Sequence, residues 1–117
     1  FPALVYQKIK NWLSSQDPYI LRYAIGLLLS NFLDEEFKPE MLNLVASVQS
    51  DEYYVQMMQA WYFATALAKQ PNATLPLIQS QTLSPFVQNK TIQKARESRR
   101  ISPEMKEDLL AWKLQSG

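Results

Sequence analysis

The chain has 117 residues, 47% of them hydrophobic, with twelve Lys and Arg against eleven Asp and Glu for a net charge of +1; that is one ordinary domain with apolar content enough for a core. With neither His nor Cys, and with Gly26 and Gly117 its only glycines, it excludes a zinc finger, an imidazole base, a Ser/His or Cys/His nucleophile pair, a phosphate loop and a dinucleotide-binding turn. Carboxylates, lysines and tyrosines remain as the means of any chemistry.

In chain order, Leu4, Val5, Ile9, Trp12 and Leu13 fall at helical spacing from Phe1 to Leu13, and Ser14-Ser15-Gln16 ends that helix. Asp17 as N-cap and Pro18 at the first helical position start a second helix that runs to about Leu33. Asp34-Glu35-Glu36 reads as an acidic turn, and Pro39 opens a third helix ending near Gln49. The central helix spans Asp51 to Lys69, with Ser50 as N-cap, acid in its first turn and Lys69 in its last. Pro71-Asn72 marks a turn before a short helix to about Gln79, with Pro76 in its first turns. Ser84-Pro85 starts a basic helix ending near Ser98, and Ser102-Pro103 starts the last, with Met105, Leu109 and Trp112 on one side. No stretch alternates like a strand.

Wound as a helix, the central segment has one polar stripe, Glu52, Gln56 and Gln59, opposite Tyr54, Met57, Trp61, Ala64 and Ala68. The stripe is expected to be wet and the opposite side covered. Phe63 lies on the stripe too, either a singly exposed ring or a hint of a binding face.

An internal repeat joins these elements. Asp17-Pro18-Tyr19-Ile20-Leu21-Arg22-Tyr23-Ala24 aligns with Asp51-Glu52-Tyr53-Tyr54-Val55-Gln56-Met57-Met58 at an offset of 34 residues, and Gly26 meets Ala60, two small residues suited to close helix crossing. A looser third copy begins at Phe86-Val87-Gln88. Such a period with two helices per unit predicts an all-α fold of about seven helices. The pattern fits a single α-solenoid domain over 1–117, although a plain helical bundle can mimic it. An open end of such a stack, at the first helix, favours self-association.

Charge is unevenly spread. Residues 1–60 carry four cations against seven acids, residues 61–117 eight against four, and the excess gathers between Lys90 and Lys106. In the basic helix Val87, Thr91, Ile92, Ala95 and Ser98 form the inward side. Asn89, Gln93 and Arg96 form an outer stripe beside Lys90, Lys94 and Glu97, with Arg99-Arg100 following. Cations and amides on one face suit phosphates and sugars or bases; the same residues also fit a solvated face with a Lys94/Glu97 pair, and the two arginines fit neutralisation of the helix end. Arg22 has two readings as well: a stem on the core with its head in water or paired to Asp51 or Glu52, or a phosphate clamp. No apolar run reaches the roughly 18 residues of a membrane span, and no signal pattern opens the chain, so a globular cytoplasmic protein without a membrane partner is expected.

The words Tyr53-Tyr54-Val55, Ala60-Trp61, Asn89-Lys90, Ile92-Gln93-Lys94, Glu97-Ser98 and Ser102, in order over most of residues 17–113, resemble the C-terminal part of the AlkD-like DNA alkylation repair family, DNA glycosylases built of HEAT-like repeats. The resemblance implies a right-handed α-α superhelix that holds duplex DNA in a basic concave groove. It also implies excision of N3- or N7-alkylated purines, the chemistry of a 3-methyladenine or 7-methylguanine glycosylase, without a cofactor. By position Trp61 resembles a groove tryptophan of the family and Arg22 its DNA-contacting arginine, whereas periodicity alone puts Trp61 in the core. With them, Asn89, Lys90, Gln93, Lys94, Arg96, Arg99 and Arg100 are the candidate DNA-binding residues. The family's catalytic carboxylate belongs to a Trp-to-Asp motif on a helix upstream of these residues, and Asp34, Glu35 and Glu36 do not occupy its place. The chain is therefore expected to be a C-terminal portion that carries no catalytic residue and, alone, excises nothing. The alternative is a noncatalytic helical-repeat scaffold that binds DNA structures or protein.

Overall fold

Proline and a preceding polar cap set where the helices begin. In the computed structural model, which describes residues 2–115, Asp17, Ser84 and Ser102 each stand before a helix-opening proline. Their side chains accept the free backbone N–H of Tyr19, Val87 and Met105 at 2.9, 3.4 and 3.2 Å. The elements are α1 (Pro2–Trp12), α2 (Pro18–Asn31), α3 (Glu40–Ala46), α4 (Tyr53–Lys69), α5 (Pro71–Ser80), α6 (Pro85–Glu97) and α7 (Pro103–Leu109), closed by a 3-10 turn over Leu110–Trp112. Among the described residues all regular structure is helical; Phe1, expected in the first helix, lies outside them.

Boundaries move from the sequence expectation at three places. Ser50 does not cap α4: its hydroxyl accepts from the Glu52 N–H, and the helix starts at Tyr53 with Glu52 as the cap residue. α3 stops at Ala46, short of Gln49. Pro71 is itself the first residue of α5, not part of a turn before it, which places Pro76 inside that helix, past its first turn. α5 then ends at Gln81 in the left-handed conformation (φ 56°), the cap geometry usually taken by glycine.

α4 is the centre of the packing, lying between α2 and α6. Arg22 meets Tyr54 near the starts of α2 and α4, and Asp34 meets Lys69 just past the end of one and in the last turn of the other, so these helices run the same way. Likewise Tyr53 meets Phe86 at the starts of α4 and α6, and Trp61 meets Lys94 about two turns on. α2, α4 and α6 thus form a parallel rank, against which α1, α3, α5 and α7 pack. Ile25, Leu28, Met41, Tyr62, Phe63, Leu67, Ile78, Ile92 and Leu109 are fully buried in the core.

Two glutamines tie the layers together. From α4, Gln59 donates through Nε2 to the carbonyls of Val45 and Val48, both at 3.0 Å, and so satisfies the orphan end of α3. From α6, Gln88 donates to Ile78 O at 2.8 Å, near the end of α5, and to Trp112 O at 2.9 Å. Both side chains are buried.

This device overturns part of the expected orientation of α4, although Ala64 is buried and Glu52 exposed as expected. Gln59, on the supposedly wet stripe, faces the core, and Phe63 beside it is buried edge-on against Tyr62 at 5.6 Å. Tyr54 and Trp61, expected under cover, are 67% and 55% exposed. Buried amides are tolerated because helix ends supply carbonyls for them. Gly26 is not at a tight crossing either: a Cβ there would meet only Met58 Cε, at 3.9 Å.

Candidate nucleic-acid interface

Tyr54, Met58, Trp61 and Thr65 recur every three or four positions of α4 and form the stripe it presents between α2 and α6. Each aromatic ring on it carries a cation from a neighbouring helix. The Arg22 guanidinium lies over Tyr54 and the Lys94 ammonium over Trp61, both 5.6 Å from the ring centre. Arg22 therefore uses neither Asp51 nor Glu52, and the α4 residue beside it is Tyr54, while Gln56, its counterpart in the repeat, donates from Nε2 to Ser50 O. The expected Lys94/Glu97 pair does not form: Glu97 accepts from Gln93 at 3.5 Å instead.

Three shallow grooves divide the predicted site residues. Between α4 and α6, about 360 Å³ is bounded by Trp61, Thr65, Lys94, Glu97, Ser98 and Arg100. Between α2 and α4, about 510 Å³ is bounded by Tyr19, Arg22, Tyr23, Leu27, Ser30 and Met58. A third, about 650 Å³, lies between α6 and the C-terminal segment and takes Asn89, Lys90, Gln93 and Arg96. Glu97 lines both grooves flanking α6, the acid among their cations. Arg99 is exposed after α6 and lines none of these grooves.

Four predicted members, Asn89, Arg96, Lys90 and Gln93, have intramolecular work. Asn89 is half-buried and grips the backbone of Leu114 from both ends of its amide: Nδ2 donates to the carbonyl at 2.6 Å and Oδ1 accepts the N–H at 2.8 Å. Arg96 donates from Nε to Lys106 O at 3.1 Å, drawing its head towards α7. Lys90 lies over Phe86 at 5.8 Å and donates to Gln93 Oε1 at 2.9 Å. The face across α2, α4 and α6 thus gathers Arg22, Trp61, Lys94 and Arg100, while Asn89 and Arg96 turn to the other side of α6.

Sequence reasoning missed the tyrosines. Tyr53 stands edge-on to Tyr54 at 5.4 Å and packs on Phe86 at 5.9 Å, and Tyr23 packs on Trp12 at 5.7 Å. The signal was in the aligned helix starts, where Tyr19 falls opposite Tyr53. Chemically, the face offers cations and π surfaces, suited to binding an anionic or aromatic ligand. No protein-family model, curated protein or solved structure matches the chain.

Proposed function

We propose that this chain is the DNA-holding part of an alkylation repair protein of the AlkD-like kind, a right-handed stack of HEAT-like helix pairs that binds duplex DNA across α2, α4 and α6. The observation that carries the reading is the pairing of Trp61 with Lys94 beside Arg100, aligned along one stripe of α4 with Tyr54 and Arg22. Its repeat architecture is supported by the cross-helix pairs: those joining α2 and its following turn to α4 are 32 and 35 residues apart against a sequence offset of 34, and both pairs between α4 and α6 are 33 apart. In this reading Lys94, Arg100 and Arg22 meet phosphates, and Trp61 offers its face to a base. Removal of N3- or N7-alkylated purines needs a carboxylate to stabilise the developing oxocarbenium, which the family resemblance assigns to an upstream helix.

The test is release of 7-methylguanine or 3-methyladenine from alkylated DNA by the full-length protein, beside an Arg22→Ala variant. Base release that falls in the variant supports the reading, and full activity in the variant removes Arg22 from the site. A specific observation favours the second reading, a scaffold that binds DNA without chemistry: Lys94 already covers a face of Trp61, where a cationic base would meet a like charge. That version expects duplex binding with no base released.

A further inference from the structure

Four of the six tyrosines are more than half exposed, at 78% for Tyr19, 60% for Tyr23, 54% for Tyr53 and 67% for Tyr54, and all four lie together. Tyr19 and Tyr23 share a groove with Arg22, whose guanidinium covers Tyr54, and Tyr54 meets Tyr53 edge-on. The chain of rings passes from Tyr53 to Phe86, under Lys90. Such a row crosses the starts of all three parallel helices, about two turns before Trp61 and Lys94 on α4 and α6.

Phosphate attraction does not account for this rim. Its cations are Arg22 and Lys90, and the same helix starts hold Asp17, Asp51 and Glu52, so local charge is nearly balanced. Paired bases in a duplex hide their faces in the stack, leaving exposed tyrosine rings without a π partner; an unpaired base presents its face, and base–aromatic stacking is tolerant of sequence. Protein partners also favour tyrosine and arginine, but a cation set against a ring, as Arg22 is over Tyr54 and Lys90 over Phe86, is the arrangement that stacking on single-stranded nucleic acid uses.

We propose that the rim formed by Tyr19, Tyr23, Tyr53 and Tyr54 with Arg22 is a stacking platform for unpaired nucleotides, so that the preferred ligand is a junction of duplex and single strand. The duplex lies on the Trp61, Lys94 and Arg100 part of the face and the single strand continues over the tyrosines. This rests on the nucleic-acid reading above.

Fluorescence anisotropy with a labelled blunt duplex, and with the same duplex carrying a thymine overhang, tests it on the full chain. The overhang should raise affinity about tenfold. Tyr19→Ala/Tyr53→Ala, at rim residues outside the duplex part of the face, should erase that advantage without changing blunt-duplex binding, and Tyr19→Phe/Tyr53→Phe, which keeps the rings, should retain it. Equal affinity for the two DNAs, or an overhang advantage that survives in the alanine variant, overturns the platform and leaves the duplex reading standing. Failure to bind either DNA overturns both.

Discussion

Burying Gln59 and exposing Trp61 are two consequences of one rotation of α4. Removing the amide leaves the carbonyl of Val48 without a donor and takes one of the donors from that of Val45, so Gln59→Leu should destabilise the fold by about 1–3 kcal/mol, read from the urea midpoint. Trp61→Ala removes a half-exposed ring and should leave that midpoint nearly unchanged while weakening DNA binding about tenfold. A third residue, Tyr6, makes stability depend on pH. Burial first, then the negative charge of Glu40, pushes its hydroxyl from 10.0 up to about 12, and burial raises that of Tyr62 as well. The native state keeps these protons where the unfolded chain has lost them, so their contribution is intact below pH 10 and is lost as pH rises through about 12. Urea titrations should show stability falling over that window, and less steeply in Tyr6→Phe.

At the scale of elements, the starts of α2, α6 and α7 were legible because a cap residue followed by proline is a local instruction. What could not be read was which side of α4 would be covered. Its polar stripe is narrow, and the choice depends on carbonyls at the end of α3, a partner distant in sequence. For the same reason Asn89 looks like a free amide in sequence, although Leu114 takes both its ends. Asn89→Ala should speed amide hydrogen exchange at Leu114 and leave duplex affinity within about twofold, a small effect beside the loss of a phosphate contact. The Gly26 position gives the opposite lesson. Small size suggested a close crossing, but a methyl fits, so Gly26→Ala should raise helix stability by roughly 0.5–1 kcal/mol, seen as a higher melting temperature.

For the whole molecule, the parallel rank of α2, α4 and α6 explains how residues 32 to 35 positions apart come to share one surface. The basic second half of the sequence gathers cations on α6 and just after it, and α4 supplies the ring between them and α2. Among the described residues no helix is long and apolar enough to cross a membrane. The ion pair of Lys69 and Asp34, at 2.9 Å, is largely solvated on its acidic side and adds little to stability. Holding the fold together is therefore the task of the apolar core and the two buried glutamines, so the proposed polyanion site at Lys94 and Arg100 is not needed for stability.

The most direct test of that claim is duplex affinity measured against salt for the full chain and for Lys94→Ala/Arg100→Ala, between about 50 and about 200 mM. Binding should weaken steeply with salt, and the variant should bind more weakly with a log–log slope smaller by about 2, one unit for each phosphate contact removed. Affinity indifferent to salt, or a variant with the wild-type slope, would contradict a phosphate-binding role for this face.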